Sequence, residues 1–443
     1  MTSTVKTAKP YHLSHPQAVA WVILLAGFVV FCALSVSGAA FAHWFLFESQ
    51  IDMDMTLAVS RGRVDIRLPD GTSTVIGRTE RVGANTLFLL DSGTQGQVII
   101  QDNYAERVIA TLYLLQESTI TLNNGVRPRF EWSSGGYEIS FGAAAGRFAV
   151  EIPPNLAHPL RMTIRTPSGE ARFSQAGKFR LEVVEGRTIL TAWEGVAALY
   201  AVNGGESPVS SGQFIIAQGE NENAQVFAAQ GVNDELLNAN FGSLSDIETN
   251  SALPIGWACT SQANKQNEPQ GAIGRTLYNN AVVLRMRRIG EGLDHAESRC
   301  SYTFGLTPDI PLDVTGYASL SLRAAIKIRL QDVTTCGIRG SECPVMLELE
   351  YLAKGNTPNE PQFWRHGFYA LRPPVDSNPL ICDTCLQDHE KLTPDTWYLY
   401  DSGDLLSLLP ENKRPEKIIR LKVYASGHAY DAVVADLALV GRR

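Results

Sequence analysis

The cysteines are the residues whose spacing most directly suggests chemistry. Cys382 and Cys385 are separated by two residues, a spacing found in zinc knuckles and in redox pairs, and His389 follows them closely. If the turn that holds Cys336 and Cys343 lies at the same end of the sheet, four thiolates could converge on a zinc ion. No βαβ pattern surrounds the CxxC, which argues against a redox motif.

Disulfides are the alternative that we favour for these cysteines. All cysteines except Cys32 fall in the second half of the chain, and they are even in number. The preferred pairs are Cys259–Cys300 between strands, Cys336–Cys343 closing a hairpin and Cys382–Cys385 within a loop. Cross-pairing of the last four cysteines stays open.

Three tryptophans are candidates for stacking on a sugar ring. Trp364, Trp257 and Trp397 lie in or beside predicted strands, and Tyr398 and Tyr400 follow the last of them. An aromatic residue in a β-strand more often packs into the core, so core packing is the alternative for each. A ligand-binding role is therefore a hypothesis that the position of each ring decides.

Catalytic signatures are absent from the sequence. We find no G-x-S-x-G, H-E-x-x-H, P-loop or dinucleotide fingerprint, so we expect a protein that is not an enzyme and needs no cofactor. A structural calcium ion is the one metal alternative to zinc, with Asp431 and Asp436 as candidate ligands beside Asp246. The competing interpretation places these carboxylates in turns and at strand edges.

The distribution of charge argues against nucleic acid as a partner and indicates a segment that crosses a membrane. The net charge of −8 and a pI of about 5.6, without a basic stripe, argue against binding to nucleic acid. Residues 10–47 contain no Asp, Glu, Lys or Arg, and residues 18–45 are predicted to form a transmembrane helix. Lys6 and Lys9 precede this run whereas Glu48 and Asp52 follow it, so residues 1–17 should be a cytoplasmic tail.

A cleaved signal peptide is the competing interpretation of the apolar run. Ala40-Phe41-Ala42 has the A-x-A form of a cleavage site. The apolar segment is longer than the roughly 7 to 15 residues of a signal h-region, and Trp21 and Trp44 flank it as interfacial aromatics do. We therefore expect a single-pass cell-membrane protein with most of its mass outside the cytoplasm.

The remainder of the chain is predicted to be all β. Apolar residues alternate with polar ones in short runs such as residues 57–68 and 178–183, and turn residues separate the runs. Residues 404–409 are the one candidate helix. A polar, Gln- and Asn-rich segment, residues 218–233, is predicted to link a unit at 55–217 to a unit at 234–443.

The first unit resembles the FecR family of extracytoplasmic β domains. The matching motifs are an opening G-R-V, two G-x-F strands, a T-P step, an E-G-V strand and a closing S-S-G-Q, at residues 62–64, 146–151, 166–167, 176–183, 193–196 and 209–213. The chain departs from the family pattern with Lys178 where threonine is usual. The resemblance implies signalling to a cytoplasmic sigma-factor system, although a tail of residues 1–17 favours a scaffold or ligand-binding use.

The second unit resembles the galactose-binding-like jelly rolls. Its motifs are an N-x-x-F, a P-x-G-W and a D-L-x-L-V, at residues 238–241, 254–257 and 436–440. The resemblance implies a β-sandwich that binds sugars and, in some members, holds calcium. We expect a membrane-anchored bacterial binding or scaffold protein whose partner is a polysaccharide or an envelope protein. FecR-type signalling and a purely structural envelope role are the alternatives.

Overall fold

A computed structural model provides the structure of the chain. It describes residues 16–103, 107–201, 205–219, 225–228, 230–231, 234–239, 241, 256–278, 281–304, 310–371 and 388–442. The predicted Cys382–Cys385 disulfide and Asp246 lie outside these residues. The predicted fold class is confirmed, because one apolar helix precedes a chain built almost entirely of β-strands.

The N-terminal helix α1, Pro16–His43, exposes apolar side chains on all sides. A π-helical turn, Trp44–Glu48, continues it to the first strand. An 18-residue window within the helical segment Gln17–Glu48 has a mean hydropathy of 2.7, and the segment is long and apolar enough to cross a membrane, a property that it shares with signal sequences.

The first β unit contains strands β1–β19. They are β1 Gln50–Asp52, β2 Asp54–Arg61, β3 Val64–Arg67, β4 Ser73–Ile76, β5 Glu80–Arg81, β6 Thr86–Leu89, β7 Gln95–Asp102, β8 Arg107–Leu114, β9 Thr119–Pro128, β10 Tyr137–Ile152, β11 Leu160–Thr166, β12 Gly169–Phe173, β13 Gly177–Val184, β14 Arg187–Glu194, β15 Val196–Tyr200, β16 Glu206–Ser210, β17 Gln213–Gln218, β18 Gln225–Val226 and β19 Gln230–Gly231.

Two sheets share the long strand β10. One has the order β4-β3-β6-β9-β10-β11-β12-β15-β16, with β1 also on β9. The other has the order β5-β2-β7-β8-β10-β13-β14-β17. The predicted alternation holds in β13, where Phe179, Leu181 and Val183 are buried between more exposed neighbours.

The predicted linker contains two short strands of the first β unit. Strands β18 and β19 pair with β17, so ordered structure continues beyond the boundary predicted at residue 217. The unit also begins earlier than residue 55, because β1 pairs with β9 through Gln50 and Pro128. Backbone pairing with a neighbouring strand gives these polar residues structure that their composition does not indicate.

The second β unit contains strands β20–β32. They are β20 Asp234–Ala239, β21 Trp257–Ala263, β22 Ala272–Tyr278, β23 Ala281–Arg288, β24 Ala296–Thr303, β25 Leu312–Asp313, β26 Ser319–Gln331, β27 Val345–Ala353, β28 Gln362–Tyr369, β29 Glu390–Lys391, β30 Tyr398–Asp401, β31 Pro415–Gly427 and β32 Tyr430–Arg442. Short helices lie at Cys336–Arg339, Leu405–Leu408 and Glu411–Lys413.

These strands form a β-sandwich. One sheet has the order β22-β23-β32-β26-β30, with β20 on β32, and the other has the order β21-β24-β31-β27-β28-β29, with β25 on β31. A core of buried side chains from both sheets joins them. The helix predicted at 404–409 is confirmed as Leu405–Leu408, capped by the Asp404 carboxylate, which accepts a hydrogen bond from the Leu406 N–H.

Two disulfides brace the second β unit. Cys259 of β21 lies directly opposite Cys300 of β24, and these two residues are bonded. Cys336 and Cys343 form the second bond, so the two preferred pairings among the described cysteines are present. The zinc alternative fails for Cys336 and Cys343, because sulfur atoms bonded to each other are not thiolate ligands.

Candidate binding site

The two β units contact each other through residues of β2, β7 and β13 in the first unit and of β29 and β30 in the second. Arg61, the last residue of β2, places Nη1 3.1 Å from Glu390 Oε2 of β29 and donates a hydrogen bond to the Tyr398 hydroxyl at 3.4 Å. Beside this pair, the Thr393 N–H donates to the Ser60 carbonyl at 2.8 Å. The end of β2 is thus held against the second unit by a backbone hydrogen bond at Ser60 and by the charged side chain of Arg61.

Gln95 makes a second connection between the units. Its side-chain amide donates to the Leu399 carbonyl at 2.9 Å and accepts from the Leu399 N–H at 2.8 Å. Gln95 is buried, and this pairing satisfies both ends of its amide. The Gln95 amide therefore pairs with the backbone of β30 as a neighbouring strand would.

Asp401, at the end of β30, lies between guanidinium groups from both units. Its Oδ2 is 3.1 Å from Arg180 Nη1 of the first unit and 3.1 Å from Arg323 Nε of the second. Burial alone would raise the pKa of Asp401, but attraction to Arg323 and Arg180 and the Gly403 N–H together lower it. Asp401 is therefore a charged carboxylate that holds the two arginines together.

Glu390 has a similar balance. Burial would raise the pKa of its carboxyl, but the contact with His366 and the charge of Arg61 lower it. His366 Nε2 lies 3.5 Å from Glu390 Oε1, and its ring stacks on Tyr400 with a centroid distance of 4.9 Å. The Glu390 carboxylate is thus held by His366 of its own unit and by Arg61 of the first unit.

These contacts border a cavity of about 440 Å³, which we call the cleft. Both units contribute to its lining, which is formed by Arg61, Gly93, Thr94, Gln95, Leu115, Gln116, Arg147, Arg180, His366, Asp388, Glu390, Tyr398, Leu399, Tyr400, Asp401, Ser402 and Gly403. The volume lies within the range of small-ligand sites, roughly 300 to 1,000 Å³.

The charges that line the cleft are balanced. Three arginines, Arg61, Arg147 and Arg180, face three carboxylates, those of Asp388, Glu390 and Asp401. A site for a phosphate or a polyanion would carry an excess of cationic groups, and a site for a cation would carry an excess of carboxylates. This lining has neither excess.

Part of the lining is available to a ligand. The side chains of Gln116, Arg147 and Asp388 have no hydrogen-bond partner among the described residues, and Gln116 and Asp388 are exposed. The Gln116 amide, the Arg147 guanidinium and the Asp388 carboxylate each present paired hydrogen-bonding atoms. These three groups can bind a ligand without breaking a contact between the units.

The three predicted tryptophans do not lie together at this cleft. Trp364 is completely buried in the core of the second sandwich, so it offers no surface to a sugar ring. Trp257 is half-buried against Phe241 and Tyr302, and Trp397 is half-buried against Tyr278. The three tryptophans thus occupy separate packing positions, none of which lines the cleft.

The candidate calcium ligands are engaged with cationic side chains. Asp431 accepts two hydrogen bonds from Arg285, at 2.9 and 2.7 Å, and its Oδ2 lies 3.4 Å from Arg329. Asp436 accepts from Lys178 at 2.5 Å, which adds another contact between the two units. Within the described residues, no group of three or more His, Cys, Asp or Glu side chains has an arrangement suited to a metal ion.

The cleft carboxylates predict sensitivity to acid. The pKa values of Asp401 and Glu390 are lowered from 3.8 and 4.5, so their stabilisation is complete above those values and is lost as pH falls toward the lower folded-state pKa values. We expect the free energy of unfolding to decrease below about pH 4.5. Asp401→Asn should cost about 2 kcal/mol at pH 7 and flatten that decrease.

Denaturant titrations of the detergent-solubilised chain between pH 3 and pH 7 measure this effect. Asp332→Asn is the matched control, because Asp332 is exposed and does not line the cleft. An Asp401→Asn variant with the stability and pH profile of the control would contradict a bridging role for Asp401.

Comparisons with known proteins give fold similarity only. No family model and no characterised protein matches the sequence. A putative anti-sigma factor from Parabacteroides distasonis is 12% identical with a TM-score of 0.24, and the match covers 33% of this chain and 59% of that protein.

Carbohydrate-binding modules are also among the similar structures. A family 11 module from Clostridium thermocellum, in complex with a mixed-linked β-1,3-1,4-tetrasaccharide, is 9% identical with a TM-score of 0.24, over 43% of this chain and 91% of the module. A xylan-binding domain from Paenibacillus barcinonensis is 8% identical with a TM-score of 0.25, over 48% of this chain and 96% of the domain. The inferences about function therefore rest on the geometry of the cleft.

Proposed function

We propose that this chain is a membrane-anchored extracytoplasmic protein that binds carbohydrate in the cleft between its two β units. The observation that carries the proposal is the charge-balanced, polar lining of a cavity of about 440 Å³. Its lining groups without a hydrogen-bond partner among the described residues are the Gln116 amide, the Arg147 guanidinium and the Asp388 carboxylate. A neutral ligand rich in hydroxyl groups matches this set better than an ion does.

Hydroxyl chemistry explains the match. A sugar hydroxyl both donates and accepts hydrogen bonds, and two neighbouring hydroxyls can pair with one planar amide, guanidinium or carboxylate group. The Tyr398 and Tyr400 rings supply the aromatic part of the lining, which is otherwise mostly polar. The ligand class is therefore a neutral oligosaccharide or a segment of a polysaccharide.

The geometry favours binding without catalysis. Hydrolysis of a glycosidic bond requires a carboxylic acid that stays protonated near neutral pH, which means a raised pKa. The pKa values of Glu390 and Asp401 are instead lowered, and both carboxylates contact guanidinium groups. Each acts as a structural anion that fixes the wall of the cleft.

The proposed topology places the amino terminus in the cytoplasm. Lys6 and Lys9 precede the helical segment, whereas the acidic residues Glu48, Asp52 and Asp54 follow it, as the positive-inside rule requires. The Cys259–Cys300 and Cys336–Cys343 disulfides agree with an oxidising compartment. The second β unit would then face the cell envelope or the medium.

FecR-type signalling is the second candidate, and one observation favours it. The Arg61–Glu390 and Arg180–Asp401 pairs join the units at the border of the cleft, so a ligand there could change how the units contact each other. Co-purification of a sigma-factor regulator with residues 1–17, dependent on glycan, would support signalling. Glycan binding without such a partner would support recognition alone.

Glycan binding by the full-length chain in detergent tests the proposal. A screen of envelope and plant polysaccharides should identify a ligand, and calorimetry should then show that Gln116→Ala and Arg147→Ala each weaken binding about tenfold, the loss expected for one hydrogen-bonding group. Arg187→Ala is the matched control, because Arg187 is exposed and lies outside the lining.

Two results would contradict the proposal. One is the absence of binding to any glycan in the screen by a folded protein. The other is a ligand whose affinity is the same for the wild type, Arg147→Ala and Arg187→Ala. Unchanged thermal unfolding of the three variants would show that any loss of binding comes from the lining and not from a damaged fold.

A further inference from the structure

Aromatic side chains continue past the end of α1 into the first β unit. Trp44, Phe45 and Phe47 of the π-helical turn are all exposed in the structure. The loop at residues 129–136, which connects β9 to β10, lies directly beside this turn. We call these residues the juxtamembrane loop.

The loop is fixed to the turn by several contacts. Phe130 meets the Phe45 ring edge-on at 5.6 Å, and the Arg129 guanidinium lies 5.2 Å from the centre of the same ring. The Ser133 hydroxyl donates to the Phe47 carbonyl, and the Arg129 N–H donates to the Ser49 carbonyl at 3.0 Å. The loop therefore keeps a set position relative to the end of the helix.

Trp132 is the exposed end of this arrangement. Its ring stacks on Phe130 at 4.8 Å, yet 64% of the residue remains exposed. The stacking holds the indole outward, away from the β core. A large aromatic ring held in this way beside an apolar helix is suited to contact with an apolar or interfacial surface.

Lipid is the occupant that the surroundings favour. The exposed aromatic surface is continuous with the apolar surface of α1, so a bilayer that contains the helix also reaches the loop. Tryptophan prefers the headgroup level of a bilayer, where its ring is covered and its N–H stays hydrated. The charged residues next to the two rings in the sequence, Arg129 and the exposed Glu131, suit that level rather than the hydrocarbon interior.

We propose that the juxtamembrane loop docks on the membrane surface, with Trp132 in the headgroup region, as a second membrane contact that orients the first β unit. The proposal rests on the anchoring of α1 proposed above. Because β1 pairs with β9 through Pro128, a fixed loop would also fix the sheet that leads toward the cleft. One helix alone would leave the β units free to rotate about its end.

Fluorescence quenching in vesicles tests this contact. The full chain is reconstituted in phosphatidylcholine vesicles whose acyl chains carry bromine near the headgroup end. Trp21, Trp44 and Trp132 should be quenched, so Trp132→Phe should remove about a third of the quenched emission. Trp397→Phe is the control, since Trp397 packs against Tyr278 and should lose only emission that bromine does not quench.

The outcomes separate the two proposals. Equal quenched emission in the wild type and in Trp132→Phe would overturn the docking of the loop while leaving α1 in the membrane. No quenching of any tryptophan would show that α1 is not inserted, which would overturn both. Loss of the quenched share in Trp132→Phe but not in Trp397→Phe is the result that the proposal requires.

Discussion

Replacement of Trp364 by alanine should destabilise the protein by about 4 kcal/mol, the cost of emptying a buried tryptophan site. Trp364 lies on β28 with no exposed surface, and its ring stacks on His366 at 6.1 Å. Its indole N–H has no hydrogen-bond partner in the described structure. Trp364→Phe should therefore cost less than about 1.5 kcal/mol, because it retains much of the packing and removes an unpaired donor.

Urea titration of the detergent-solubilised chain, followed by circular dichroism, measures both variants. The experiment also decides between the two roles considered for this residue. A Trp364→Ala protein that is as stable as the wild type but no longer binds glycan would contradict the core position and restore the hypothesis of a sugar platform. A large loss of stability confirms that the ring is a packing element.

Replacement of Gly146 by alanine should cost about 3 kcal/mol. Gly146 is the point at which β10 leaves one sheet and enters the other, and it has a φ of +101°. A Cβ there would lie 2.6 Å from the Glu117 carbonyl oxygen and from the Ser118 Cα. Backbone strain and overlap with backbone atoms add, since neither neighbour is a flexible side chain.

Gly212→Ala separates the two contributions. Gly212 also has a positive φ, +75°, but a Cβ there meets nothing within 4 Å. Its substitution should cost about 1 kcal/mol, the strain alone. Equal losses for the two alanine variants in the same denaturant titration would show that β10 does not need close packing at its crossing between the sheets.

Local sequence signals predicted the parts of the fold that depend on local chemistry. The alternation in β13, the short helix within residues 404–409 and the apolar run of α1 each depend on neighbouring residues, and each is present. The linker at 218–233 was assigned from composition, and it includes β18 and β19 because pairing with β17 overrides composition.

The cleft could not be predicted in the same way. Arg61, Gln95 and Arg180 belong to three strands of the first unit, and Glu390 and Asp401 lie far away in the sequence, in the second. No spacing links them, because they meet only when two separately formed sheets contact each other. The one available signal is that Arg180 occupies an outward position in the alternation of β13, which marks a solvent face but names no partner.

The same reasoning explains the outcome for the tryptophans. Sequence identifies an aromatic residue in a strand but does not tell which face of the sheet it occupies when both faces are apolar. Burial places Trp364 inside, and local packing occupies Trp257 and Trp397. Among the described residues, the lining groups without a hydrogen-bond partner are the polar side chains of Gln116, Arg147 and Asp388, and no ligand-binding motif marks them.

A crystal structure of the full-length chain with the tightest-binding glycan from the screen would show whether carbohydrate binds in the cleft. We expect a sugar in the cleft between the two β units, within hydrogen-bond distance of Gln116 and Arg147 and beside Tyr398. A sugar bound elsewhere, for example on the half-buried ring of Trp257 with the cleft empty, would contradict it.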